Sequence, residues 1–160
     1  MREPFHFSTE VRVRLPETDA MGIVFHGAFF TYLEVGRMDY LRNLGLAGSH
    51  AQPIRDLDNV VASAHCDFES PARFDDPLVV HVRVAAIGRT SFRFEFAITH
   101  KQQARVVATG HTVHVAVDLC TGRPMPVPDG FRVPVERFEG RPLGQAGAGK
   151  NPRAPPADRG

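Results

Sequence analysis

Hydrophobic and polar residues alternate in five stretches of the chain, and one stretch between the first two follows a helical period instead. In Phe7–Leu15, Val11 and Val13 alternate with Arg12 and Arg14, which predicts a strand. Pro16 lacks the N–H that a ladder needs and stops it. From about Gly27 to Asn43, Phe29, Leu33, Gly36, Tyr40 and Leu44 recur at helical spacing, while Glu34, Asp39 and Arg42 lie off that stripe. Gly45 follows as a helix stop. Gly36 within the stripe lowers helix propensity by roughly 1 kcal/mol relative to Ala, a loss that close approach of a sheet would explain. Residues 46–58, with Gly48, Ser49, Pro53 and Asp58, read as a connecting loop, and Val60–Glu69 as a second strand. In Leu78–Ile87, Leu78, Val80, Val82 and Val84 oppose His81 and Arg83; in Ser91–Thr99, Phe92, Phe94, Phe96 and Ile98 oppose Arg93 and Glu95. Arg105–Val117 is the last long strand. Gly88-Arg89 and Lys101-Gln102-Gln103 are turns short enough for antiparallel hairpins.

A strand, one long helix and then four strands predict an α+β domain whose antiparallel sheet hides one face beneath the helix. Phe131–Phe138 adds a short terminal element, so the domain runs over 1–138. From Glu139 to Gly160, Gly, Pro, Ala and charge dominate without periodicity, which reads as a mobile tail. A chain of 160 residues is long enough for a single core of this kind.

Charge and composition narrow the function. The formal net charge is +1 and the arginines are dispersed, which excludes a nucleic-acid binder working by bulk electrostatics. No apolar stretch approaches the roughly 20 residues of a membrane span, and Met1-Arg2-Glu3-Pro4 does not open a secretory signal. The two cysteines form no CxxC pair, and Cys66 falls in a strand as a small core residue. The expectation is a soluble cytoplasmic domain. No metal is expected either: the eight histidines are scattered, and His111 and His114 sit at an odd spacing that sends them to opposite faces of a strand.

The chemistry concentrates in Leu15–Arg42, LPETDAMGIVFHGAFFTYLEVGRMDYLR. The run Asp-Ala-Met-Gly-Ile-Val-Phe-His-Gly-Ala-Phe-Phe, followed by Tyr-Leu-Glu-x-x-Arg, resembles the signature of the 4-hydroxybenzoyl-CoA thioesterase family. The resemblance covers roughly Phe7 to Asp118. It implies the hotdog fold, a curved antiparallel sheet wrapped around one long central helix, and hydrolysis of acyl-CoA thioesters. It also implies a homodimer or homotetramer with active sites at the subunit interface. No cofactor follows, because coenzyme A is part of the substrate.

A carboxylate cleaves a thioester either by direct attack or by deprotonating a water. Both routes need donors where the oxyanion develops, and a helix N-terminus supplies unpaired N–H groups at a positive dipole end. Asp19 stands where the family carries its catalytic carboxylate; read without that resemblance, it is a turn-capping Asp. Glu17 falls on a position read as solvated or structural. The backbone N–H groups of His26 and Gly27 are the oxyanion candidates, with Gly27 leaving room for the substrate. The His26 side chain is either a thioester or leaving-group contact or an ordinary structural histidine. Val24 and Phe25, immediately before it, are candidate substrate contacts. Glu34 either pairs with Arg37 one turn on, worth about 0.2–0.5 kcal/mol, or lines the far end of an acyl pocket.

Coenzyme A brings phosphates, for which Arg89-Thr90-Ser91 at a hairpin turn offers a guanidinium, two hydroxyls and turn N–H groups. Arg89 is expected to serve a neighbouring subunit's site, and Arg73 is a second candidate, each standing against an ordinary solvated role. GxGxxG is absent. The rival functions are a hotdog dehydratase or hydratase, which arranges its His and acid differently, and a non-catalytic acyl-CoA-binding module, which retention of Asp19 disfavours.

Overall fold

The alternating stretches pair into one antiparallel sheet, and the helical stretch lies across its inner face. The computed structural model describes residues 5–144. In chain order the elements are β1 (Phe7–Arg12), α1 (Ala28–Asn43), β2 (Asn59–Phe68), β3 (Pro77–Ile87), β4 (Ser91–His100), β5 (Val106–Ala116) and α2 (Asp129–Glu139). The strand order is β1-β3-β4-β5-β2, so the first two strands occupy opposite edges. β1 ends at Arg12 rather than Leu15, because Leu15–Glu17 wind into a single 3-10 turn containing Pro16.

Period-2 alternation sorts the two faces of the sheet. Leu78, Val80, Val82 and Val84 are buried, as are Phe92, Phe94, Phe96 and Ile98 on the neighbouring strand. Phe29, Leu33 and Tyr40 of α1 are buried against this face as the spacing predicts, each side chain worth about 1.5–3 kcal/mol of burial. Gly36 explains itself here. A Cβ at that position would lie 2.7 Å from Val80 Cγ1 and 2.9 Å from Val82 Cγ2. The helix gives up propensity so that its backbone can reach β3. The result is α+β, a curved sheet around a central helix.

α2 covers the inner face near the β3–β4 turn. Phe131 packs on Phe92 with ring centroids 4.6 Å apart, and Val135 is fully buried. Gly140, at φ 72, ends the helix in the left-handed region. The packed body does not stop at Phe138. Glu139 is buried and accepts a hydrogen bond from the Tyr40 hydroxyl at 2.7 Å. Leu143 is buried, and its carbonyl accepts from Ile87 N–H at 2.7 Å. Two well-placed residues anchor a stretch whose composition is otherwise tail-like. Residues 145–160 lie outside the described residues.

β2 is an edge strand, with Val60, Val61 and Phe68 exposed along it. It carries a bulge between Val61 and Ser63. Cys66 is half-buried on this strand, and burial pushes its thiol up to about 11.

Candidate active site

The loop between β1 and α1 is a tight, self-bonded excursion. Thr18 bridges to Val24, Asp19 N–H donates to Ile23 O at 2.8 Å, and Gly22 N–H returns to Asp19 O at 3.0 Å. Gly22 has φ 73, a conformation that favours glycine. Val24 is buried and its N–H donates to Ala72 O at 2.8 Å, which ties the loop to the segment after β2. Asp19 therefore stands at an exposed tip on a fixed base.

The two readings of Asp19 coexist on its two oxygens. Oδ1 accepts from Met21 N–H at 2.8 Å, the turn-capping bond. Oδ2 accepts no hydrogen bond among the described residues. Asp19 lines a cavity of about 410 Å³ together with Val24, His26 and Phe29 on one side and Phe68 and Ser70 on the other.

The same cavity meets the start of α1. Gly27 is the residue before the first helical turn. The N–H groups of Ala28, Phe29 and Phe30 are taken by the carbonyls of Phe25, His26 and Gly27 at 2.9, 3.3 and 3.3 Å. Those of His26 and Gly27 have no acceptor among the described residues. Asp19, with a free carboxylate oxygen, and His26, with a free N–H, thus line one space, and the free N–H of Gly27 is next in the chain. The His26 ring is exposed, 4.3 Å from the Phe25 ring between centroids and 6.4 Å from that of Phe68. Nothing among the described residues hydrogen-bonds it, so no partner selects its tautomer. A Cβ on Gly27 would lie 2.6 Å from Phe25 Cε1, so Phe25 occupies the space that the glycine leaves.

The remaining candidates disperse. Arg73 is close to the loop, with Nη1 3.5 Å from Gly22 O. Glu34 does not line the Asp19 cavity; it borders a second one of about 360 Å³ with Met38, Arg42 and His50. Its carboxylate pairs with Arg37, as the helical spacing allows, but asymmetrically: the Arg37 side chain is 10% exposed and that of Glu34 54%. Arg89, Thr90 and Ser91 sit at the far end of the eleven-residue β3 from Asp19, on the order of 35 Å along the strand. Within one protomer they do not join the Asp19 cavity. Their turn is nonetheless well built. The carbonyls of Ile87 and Gly88 accept from Arg132, that of Arg89 from Val127 N–H and that of Thr90 from Ala116 N–H. The N–H groups of Arg89 and Thr90 have no acceptor among the described residues.

Of its two readings Glu17 takes the structural one, and the sequence reading missed His114. Glu17 is not solvated: its side chain is 13% exposed and accepts from the Tyr32 hydroxyl at 2.6 Å. Burial alone would raise its carboxyl, but the Tyr32 hydroxyl, the Arg14 amide and the Arg14 guanidinium together hold it below the usual carboxylate range. Burial, and then Glu17, push the Tyr32 phenol far up. His114 is buried on the inner face of β5, and burial and Arg37 push its imidazole down to about 4, against a smaller upward pull from Glu34. Among the described residues, no three His, Cys, Asp or Glu side chains converge to hold a metal.

Residues 13–135 match the model of the thioesterase-like superfamily. The chain belongs to that superfamily. This thioesterase is 34% identical over 106 residues to a putative esterase of Aquifex aeolicus, covering 66% of this chain and 80% of the relative. It is 31% identical to the acyl-CoA thioesterase YbgC of Haemophilus influenzae, over 76% of this chain and 88% of the relative. Among solved structures, it is similar to a Thermus thermophilus thioesterase complexed with coenzyme A and Zn, at 29% identity and TM-score 0.73, covering 89% of this chain and 100% of the other. The fold of the thioesterase is the hotdog fold.

Proposed function

We propose that this thioesterase hydrolyses acyl-CoA thioesters to the free acid and coenzyme A, with Asp19 as nucleophile or general base. The observation that carries the reading is the single cavity lined by Asp19, whose Oδ2 is uncommitted, and by His26, whose N–H and that of the adjoining Gly27 are unpaired among the described residues. A thioester carbonyl placed there meets a carboxylate on one side and two donors at a helix N-terminus on the other, which stabilise the developing oxyanion. The backbone carries the role of position 26, since its ring has no partner to orient it. The reaction needs no cofactor, because coenzyme A enters as part of the substrate.

The phosphates of coenzyme A are assigned to Arg89, Thr90 and Ser91 of a second protomer, with Arg73 beside the loop as a further positive group. The long separation of that turn from Asp19 within one chain supports this division of labour. The exposed β2 edge, with Val60, Val61 and Phe68, supports a homodimer at least. No helix among the described residues is long and apolar enough to cross a membrane, and we place the enzyme in the cytoplasm.

The test is thiol release from a panel of acyl-CoAs, repeated with Asp19→Asn. The substitution preserves size and the turn-capping oxygen but removes the charge that drives attack. Turnover is expected to fall at least about 10²-fold. Near-normal turnover by a folded Asp19→Asn enzyme ends the mechanism.

A further inference from the structure

We propose that Glu17 and Tyr32 are positioning residues for the hydrolysis: together they set the Asp19 carboxylate against the free N–H groups of His26 and Gly27. The inference rests on the Asp19 reading and extends it to side chains that touch neither substrate nor the reacting atoms.

Three segments meet at Glu17. Its Oε2 accepts from the Tyr32 hydroxyl of α1 at 2.6 Å and from Arg14 N–H at 2.9 Å. Its Oε1 accepts from Arg14 Nε at 2.8 Å and Nη2 at 2.5 Å. Its carbonyl accepts from Phe25 N–H at 2.8 Å, and its own N–H donates to Arg14 O at 3.0 Å. Asp19 is two residues after this knot, and the His26 N–H is one residue after Phe25. The relative placement of acid and oxyanion donors therefore passes through one residue whose side chain is locked to the second turn of α1.

The chemistry of the pair argues for direction rather than bulk stability. An apolar contact between loop and helix would stabilise without the penalty of desolvating a carboxylate. A charge-assisted hydrogen bond instead fixes both distance and angle. That matters here because displacement by about 1 Å from productive geometry can lower a rate by roughly 10²-fold. Tyr32 suits the task, being 2% exposed and held edge-on by the Phe29 ring at 5.8 Å.

The experiment compares Tyr32→Phe, Glu17→Gln, Glu17→Ala and Asp19→Asn by steady-state kinetics on one acyl-CoA that the unaltered enzyme cleaves, with thermal melting of each variant. Tyr32→Phe and Glu17→Ala are expected to lower kcat by about 10–100-fold while KM stays within about twofold, as for loss of an interaction that matters only in the transition state. Glu17→Gln, which keeps an acceptor for the hydroxyl, is expected to recover most of kcat. Wild-type kcat in Tyr32→Phe and Glu17→Ala beside an inactive Asp19→Asn overturns the positioning role and leaves Asp19 in place. An active Asp19→Asn removes the underlying mechanism instead. A loss of kcat that only tracks lost folded protein, without rescue by Gln, also overturns the proposal. Should Glu17→Ala not fold, Tyr32→Phe, which removes one hydroxyl, decides.

Discussion

Tyr40, in the last turn of the central helix, donates its hydroxyl to Glu139 Oε1 at the end of α2, 2.7 Å away in space and 99 positions away in sequence. The same oxygen accepts from Val84 N–H at 3.1 Å, beside the bulge between Val84 and Ala86. Helix, sheet and C-terminal helix are joined at one buried carboxylate oxygen. Tyr40→Phe leaves that oxygen with one donor and is expected to destabilise by about 1–3 kcal/mol. Truncation after Phe138 removes Glu139 and Leu143 together and should lower the urea midpoint further. A truncated chain as stable as the full one would show that α2 needs no such anchor.

His114 gives stability a pH dependence. Its Nδ1 is 3.0 Å from Asn59 Oδ1, which can only accept, so Nδ1 carries the proton and Nε2 accepts from Thr112 at 2.9 Å. The folded value of about 4 lies below the unfolded 6.5, so the unfolded chain takes the proton first. The contribution is complete above about pH 6.5, declines toward about pH 4 and is flat below, on the order of 3 kcal/mol in all. Urea midpoints measured between pH 7.5 and 4.5 should fall less steeply for His114→Gln than for the unaltered chain. Parallel slopes would refute the assignment to His114.

Gly36→Ala sets two effects against each other. It gains about 1 kcal/mol of helix propensity, but its Cβ meets Val80 and Val82 at under 3 Å. Overpacking of this kind costs typically about 1–3 kcal/mol, so a net loss is expected in thermal melting. A raised melting temperature would show that α1 can lift from β3 without penalty.

The kinetic consequences of the site should separate by residue. His26→Ala is expected to be milder than Asp19→Asn, because the backbone N–H survives the substitution. Arg89→Ala should chiefly raise KM, the signature of lost uniform binding. A fall in kcat with unchanged KM for Arg89→Ala would move that arginine out of the phosphate role.

Light scattering at micromolar concentration is expected to give at least twice the 17.7 kDa chain mass. A monomer with full activity would contradict a site shared between protomers.

The sheet and α1 were legible because their side chains partition by period: Phe92, Phe94 and Phe96 inward, Arg93 and Glu95 outward, and Phe29, Leu33 and Tyr40 down one helical stripe. The Asp19 loop was legible as a motif. What escaped were polar groups whose burial is decided by partners distant in sequence. Glu17 reads as solvated or structural until Tyr32 closes over it and decides for the second, and Glu139 reads as the start of a tail until Tyr40 and Val84 reach it. Arg37 reads as half of an ordinary helical pair with Glu34, and its side chain is the nearly buried half. Glu34 sits on the helix that begins at the site, but two further turns carry it to a different cavity.

The strand order also dictates when the enzyme can take shape during synthesis. β1 pairs only with β3, and β2 only with β5, so residues 5–68 form no ladder among themselves. A ribosome adding about 5–20 residues per second releases Asp19, α1 and the exposed apolar positions of β2 well before their partners exist. The β3–β4–β5 meander, built from two local hairpins, is the part able to form by short-range contacts, and it then draws the earlier half of the chain onto its edges. Of the first-made strands, β1 gains its partner once β3 is made, whereas β2, with Val60, Val61 and Phe68 uncovered, has no strand to pair with until β5 is complete at Ala116.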